Sequence, residues 1–280
     1  MSKRHDIEGR IRSLEEISNV MSAMKNLALL ETQKLTRLLT AQERVVSTMG
    51  AAGTDILNFY PEALPRNEHV GCLYLVIGSE RGFCGDYNDK LLAAVQERLL
   101  AASDMSPVLV VVGRKLAARL SETRDVAASM EGPSVAEEVQ SVMVRVMDRV
   151  QELRARKLSG LPLTMTIISH AAESGSVKGQ ALQPFEASTP RYANPPLLNL
   201  PLRIFLGELI ELYLFALLHK IFYSALLAEN RARISHLEGA RQHLGREASE
   251  LERKRRVLRQ EEITQEIELL MLGADRLRRR

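Results

Sequence analysis

Proline placement constrains this chain more than any local motif does. All ten prolines fall between Pro61 and Pro201, leaving the first 60 residues and the last 79 without one. Proline removes a backbone donor and its ring clashes with the preceding helical turn. Two proline-free flanks around a proline-bearing middle therefore predict two long helices separated by an insert of a different kind.

The C-terminal flank, Leu202 to Arg280, reads as one helix ending in Arg278-Arg279-Arg280. In its second half Leu237, Leu244, Ala248, Leu251 and Leu258 recur at coiled-coil spacing once Arg241 and Arg255 are counted in. Such a repeat averages about 3.5 residues and keeps one narrow seam toward a partner helix. At about 1.5 Å per residue the segment would extend roughly 110–120 Å, more than any compact domain requires, so it needs a second helix beside it. The N-terminal flank, Lys3 to Phe59, supplies one. Its seam runs through Ile7, Ile11, Leu14, Ile17, Met21 and Met24, then Leu35, Leu38, Val45, Met49, Ala52 and Ile56, with Gln42 holding one position. An insert between two such helices lets them run antiparallel. Gly50 and Gly53 weaken the first helix near its end by about 1 kcal/mol each, and Pro61 and Pro65 stop it.

The insert, Glu68 to Ala193, alternates strand and helix patterns. Val70 to Ile77 is a buried strand ending at Gly78, and Val108 to Val112 is a second, closed by Gly113. Leu163 to Ser169 is a third. Helical spacing fills Asp86 to Ala102 through Leu91, Leu92, Val95, Leu99 and Leu100, and Val135 to Leu158 through Val139, Val142, Val146, Val150 and Leu153. Continuous β-branched runs separated by helices imply a small parallel sheet covered on both sides. After His170 the Ser-, Gly- and Pro-rich text up to Pro201 reads as a connection. The expected fold class is α+α/β: an antiparallel coiled coil of long N- and C-terminal helices with an inserted small α/β domain, Rossmann-like with a parallel sheet. The expected domains are 1–60, 68–193 and 202–280.

Composition excludes several functions. At 45% hydrophobic and 26% charged the chain can build a core, and a net charge of +3 spread over 280 residues gives no massed basic surface for nucleic acid. Two cysteines, Cys72 and Cys84, fit a reducing compartment and are too few for a zinc site. The opening MSKRHDIEGRIRSLEE lacks the apolar core of a signal peptide, and the apolar run near Leu209–Leu218 is too short to span a bilayer. The expectation is a soluble intracellular chain able to work at a membrane surface.

The candidate sites have plain readings. Gly78 to Gly85 follows a strand and precedes a helix, where a dinucleotide fingerprint would sit. Its spacing is GxxxGxxG rather than GxGxxG, and no acidic residue ends a second strand. A structural βα turn built on Arg81, Gly82, Cys84 and Gly85 accounts for it. Cys84 beside Arg81 has no histidine near in sequence to act as base. His5, His69, His170, His219, His236 and His243 show no metal-binding spacing. Arg253-Lys254-Arg255-Arg256 beside a heptad has the composition of a basic zipper, but in such proteins the basic block precedes the zipper. Glu250 with Lys254 and Glu252 with Arg256 are better read as i,i+4 surface pairs. No catalytic constellation, cofactor site or metal site is expected.

Three local motifs in three parts of the chain carry a family resemblance. Ile11-Arg12-Ser13 followed by Ile17 to Ala28 (ISNVMSAMKNLA) resembles the pattern IxSxxxxxxITxAMxMVA of the gamma subunits of F-type ATP synthases. Ser79 to Asn88 (SERGFCGDYN) is similar to that family's SDRGLCGGxN. Arg259 to Glu266 (RQEEITQE) matches its RQxxITQE, with Gly273-Ala274 following in place.

The resemblance implies a central-stalk rotor shaft without chemistry of its own. Its terminal helices would enter a hexamer of alpha and beta subunits, and its α/β domain would lie near the c-subunit ring and the epsilon subunit. Ion translocation through the ring would be coupled to ATP synthesis or hydrolysis, at the cytoplasmic face of a bacterial inner membrane. Membrane contact would come only through the complex. Carried over by position, Met24 and Lys25 lie in the N-terminal coupling motif. Arg259 and Gln260 match a pair that hydrogen-bonds a loop of a hexamer subunit, Thr264 and Glu266 share that motif, and Arg233 occupies the facing turn. The departures are Asn26-Leu27, Asp86, His243 and Arg256, and the basic end at Arg276 and Arg278 to Arg280. Together they suggest a divergent member from a second, variant ATP synthase with a more polar bearing. A coiled-coil adaptor and a V-type-like shaft are the alternatives, and a nucleotide-dependent enzyme would need a phosphate-binding signature that the insert lacks.

Overall fold

A computed structural model of the chain describes residues 3–63, 71–101, 107–121, 126–157, 163–185, 192 and 194–278. Helix α1 spans Lys3–Phe59 and α5 spans Leu202–Arg278, as the proline-free flanks predict. Between them lie β1 (Gly71–Ile77), α2 (Tyr87–Ala101), β2 (Val108–Val112), α3 (Arg114–Leu120), β3 (Ala128–Met130), α4 (Val139–Lys157), β4 (Leu163–His170) and β5 (Val177–Leu182). The strands form one sheet in the order β3-β2-β1-β4-β5. It is parallel except for β5, which runs antiparallel to β4. Leu75 at its centre stands opposite Val110 on β2 and Ile167 on β4.

Among the described residues five strands stand where three were expected. β3 has three residues, too few to show a period. β5, with the sequence VKGQAL, lies in the stretch expected to be a connection. As an edge strand it alternates polar with small or apolar residues, so it has no continuous apolar run to betray it.

By contact the chain divides into two compact units, Met1–Leu27 with Ile234–Arg280, and Ala28–Arg233. The expected boundaries follow secondary structure, whereas these units cut through both long helices.

In the unit formed by Ala28–Arg233 the sheet is the middle layer. Leu73, Leu75 and Ile77 with Val110, Val112, Met165 and Ile167 face α4 and the long helices, meeting Leu35, Leu39, Leu218, Phe222 and Leu226. The alternate residues Val76, Leu109, Val111 and Ile168 pack against Leu91 and Val95 of α2 and Leu116 and Leu120 of α3. Both faces are covered, which is what continuous apolar strands require. Full burial of each such side chain contributes roughly 1.5–3 kcal/mol. The end of α1 packs separately: Ile56 and Leu57 meet Phe185 and Leu206. Gly53 is glycine because a Cβ there would run into the Phe185 ring. Its helix-weakening effect is the counterpart of that close approach.

The seam of α1 departs from the expected one at three positions. Ile17 is 46% exposed and Val45 is 39% exposed, and Ala52 is also exposed, while Ser18, Val46 and Gly53 take the inward places. A 3.6-residue helix drifts by about 20° per heptad from a strict 3.5 repeat. The inward line of α1 follows that drift.

The other unit is simpler. Ile11 and Leu237 are buried, and Leu244, Ala248, Leu251 and Leu258 are half-buried along the expected seam. Ion pairs set its direction: Arg4 with Glu262 at 3.0 Å, Arg10 with Glu247 at 3.1 Å and Lys25 with Glu238 at 2.8 Å. Position on α5 falls as position on α1 rises, so the helices are antiparallel. The side chains of Arg276 and of the arginines that follow lie outside the described residues.

Candidate functional site

The residues expected to matter fall into two sets, one in each unit. The first is the turn between β1 and α2. Ser79 and Glu80 are buried directly after the strand, and Asn88 closes the turn from the first helical residues. The Asn88 Oδ1 accepts from the Ser79 N–H at 3.1 Å, and its Nδ2 donates to the Ser79 Oγ at 2.8 Å. Phe83 and Gly85 both sit in the left-handed region, at φ 63° and 58°. For a bulky residue that conformation costs on the order of 1 kcal/mol or more and persists only where the surroundings over-determine it.

Two carboxylates do so. Glu80 Oε2 accepts from the backbone N–H groups of Gly132 at 2.7 Å and Arg114 at 3.0 Å, and its other oxygen pairs with the Arg114 guanidinium. From α5, Glu229 accepts the backbone N–H groups of Glu80 and Arg81, each at 3.3 Å, and pairs with Arg233. The Arg233 fork is used throughout: Nε donates to the Gly82 carbonyl at 3.2 Å, Nη1 to Asn230 Oδ1 at 2.8 Å, and Nη2 reaches Cys84 Sγ at 3.5 Å. One turn earlier the Tyr87 hydroxyl donates to the Ala225 carbonyl at 3.1 Å. The Tyr87 ring stacks on His170 at 4.0 Å.

Burial governs the electrostatics. Desolvation pushes the Glu229 carboxyl up, against the pull of Arg233 and the two N–H donors. Desolvation, then the Glu229 charge, drives the Cys84 thiol up to about 12 despite Arg233 beside it. A thiol so placed stays protonated and unreactive. In the turn expected at Arg81, Gly82, Cys84 and Gly85 the Arg81 side chain points outward and only its backbone carbonyl meets the thiol, at 3.5 Å, whereas Arg233 brings its guanidinium to the sulfur.

The second set lies in the helix pair. Met24 and Lys25 are half-buried. Lys25 reaches Glu238, which also takes Arg241 at 3.0 Å. Hydrogen bonds from Arg241 first and Lys25 second hold the Glu238 carboxyl down to about 2. Arg259, Gln260, Thr264 and Glu266 are all exposed, and the Thr264 hydroxyl donates to the Gln260 carbonyl of its own helix at 2.9 Å. Gln260 and Thr264 share one face of α5 with Val257, Glu261, Gln265 and Glu268. Since Lys25 meets α5 at Glu238, it lies about 30 Å along that helix from Arg259.

The structure thus does not gather the expected coupling residues into one place. Met24 and Lys25 sit at one level of the helix pair, Arg259 to Glu266 occupy an open face near the end of α5, and Arg233 is enclosed in the other unit. Sequence reasoning passed over Glu80, Asn88, Glu229 and Glu238. Arg233 four residues after Glu229 gave no usable signal, because the exposed Glu252–Arg256 pair has the same spacing.

A family model described as ATP synthase matches residues 3–277. The ATP synthase gamma chain of Heliobacterium modesticaldum is 25% identical over 303 residues, covering 98% of this chain and 99% of the relative. That of Clostridium beijerinckii is 24% identical over 287 residues, covering 96% of each. Among solved structures, a chain of the Euglena gracilis mitochondrial ATP synthase rotor superposes with a TM-score of 0.57 at 16% identity, over 93% of this chain and 98% of that one. A chain of the Tetrahymena thermophila mitochondrial ATP synthase central stalk and c-ring gives 0.54 at 20% identity, over 79% and 99%. At such identities the structural likeness shows a shared fold.

Proposed function

The chain belongs to the ATP synthase gamma-chain family, and on that premise we propose that it is the central-stalk rotor subunit of a membrane rotary ATP synthase. It couples ion translocation through a ring of c subunits to ATP synthesis or hydrolysis in a hexamer of alpha and beta subunits, and it is itself non-catalytic. The observation that carries this reading is the family match over residues 3–277, which takes in both arms of the antiparallel helix pair and the α/β layer in one order. The epsilon subunit is a further partner, and the site of action is the cytoplasmic face of a bacterial inner membrane. No helix among the described residues is long and apolar enough to cross a membrane, so attachment runs through the ring.

The physical task is to bias conformations in turn. A rotor changes the state of a catalytic subunit only if its contacts differ between states, because a partner that binds both states equally shifts nothing. Arg259 and Gln260 provide such contacts on an exposed face. A planar guanidinium fork holds a carboxylate bidentately, which a lysine does not. Thr264 and Glu266 extend the same face, and Met24 and Lys25 act at a second level of the helix pair.

A tagged copy recovered from native membranes tests the proposal. Native mass spectrometry should find one copy with three alpha and three beta subunits, and Arg259→Ala should then lower the synthesis rate of the assembled complex. Recovery of the chain alone, or with an unrelated partner, would overturn the rotor reading in favour of an adaptor.

A further inference from the structure

We infer that Glu229 and Arg233 are positioning residues that lock the β1–α2 turn to helix α5, so that the turn moves as a fixed part of the rotor. The inference rests on the rotor reading above.

The apolar layer between sheet and helix holds the two together without fixing their register, because burial of apolar surface is non-directional. The polar contacts do fix it. Side chains one turn apart on α5 bind the backbone at three consecutive positions of the turn: the N–H groups of Glu80 and Arg81, and the carbonyl of Gly82. Arg233 then reaches Cys84, the residue after the left-handed Phe83. The inner side of the turn thus presents its backbone to α5, while the Arg81 and Phe83 side chains face outward.

Stability does not explain the arrangement. A buried ion pair is costly to desolvate, and well-packed neutral residues often serve folding as well or better. What a neutral pair would lack is the set of directed bonds to positions 80, 81 and 82. For a rotor those bonds have a use, because a turn that slipped against α5 would absorb rotation instead of passing it on.

The test uses the assembled complex carrying Glu229→Gln together with Arg233→Met. Both charges go at once, so no unpaired charge is left buried. Ions pumped per ATP hydrolysed should fall by about three- to tenfold relative to the unaltered complex. Hydrogen exchange of the Glu80 and Arg81 amides in the full chain should accelerate by about tenfold or more. Unchanged exchange would show that the pair does not hold the turn, and faster exchange with an unchanged pumping ratio would show that holding it is irrelevant to coupling. Either result overturns the inference. Failure of the unaltered chain to join a hexamer would instead overturn the rotor reading, a separable outcome.

Discussion

Helix α5 carries two glutamate–arginine pairs with the same four-residue spacing, Glu229–Arg233 and Glu252–Arg256. The side chains of the first are 5% and 7% exposed. Those of the second are 39% and 77% exposed, with the charges 3.4 Å apart. The second pair faces water and contributes at most about 1 kcal/mol. The first is enclosed by the β1–α2 turn and organises it. The units around the pairs differ in the same way. Ala28–Arg233 is layered, with apolar faces on both sides of a sheet, whereas the unit of Met1–Leu27 and Ile234–Arg280 has a single seam flanked by exposed ions. Spacing along a helix sets which side chains meet, and the surroundings set what that meeting is worth.

The contrast can be broken by substitution. Phe222→Ala removes a fully buried ring from the layered unit and should cost about 3–5 kcal/mol, read as a lowered Tm and denaturant midpoint. Leu251→Ala in the half-buried seam should cost less than half as much, and equal losses would end the distinction. A smaller effect is expected at Gly53, where the added methyl of Gly53→Ala meets the Phe185 ring. Overpacking there should destabilise by about 1–3 kcal/mol. A gain in stability would mean that the ring yields and that helix propensity dominates.

The smallest effect belongs to the ions around half-buried Glu238 and depends on pH. The Glu238 carboxyl is held at about 2 against an ordinary 4.5. Its pairing therefore stabilises the helix pair above the unfolded value and is lost as pH falls through the folded one. Side-chain NMR should place its midpoint near the lower value, with Arg241→Ala raising it more than Lys25→Ala does. A midpoint near 4.5 in the unaltered chain would show that neither cation engages it.

Much of the fold was legible because it rests on local rules. Proline spacing located α1 and the start of α5, and the Val- and Leu-rich runs located β1, β2 and β4. What the sequence hid were elements without local signals: β3 is too short, and β5 is polar on its open side. The inward line of α1 was misread at Ile17, Val45 and Ala52 because a strict 3.5 repeat was imposed on a helix of about 3.6 residues per turn. The candidate site was legible only in part. Lys25, Arg259 and Gln260 stand out through motif similarity, whereas Glu229 and Glu80 acquire meaning from contacts across 149 and 34 residues of chain. Before folding, Glu229–Arg233 is indistinguishable from any solvated i,i+4 pair.

The two border strands of the sheet have a consequence for the chain before it meets any partner. Open sheet borders invite pairing with other chains, and short or lysine-bearing strands discourage it. β3 offers only three residues of backbone, and β5 carries Lys178 facing solvent with Gly179 beside it. Among the described residues, neither border strand therefore offers a long, flat, apolar ribbon on which a second copy could add a strand.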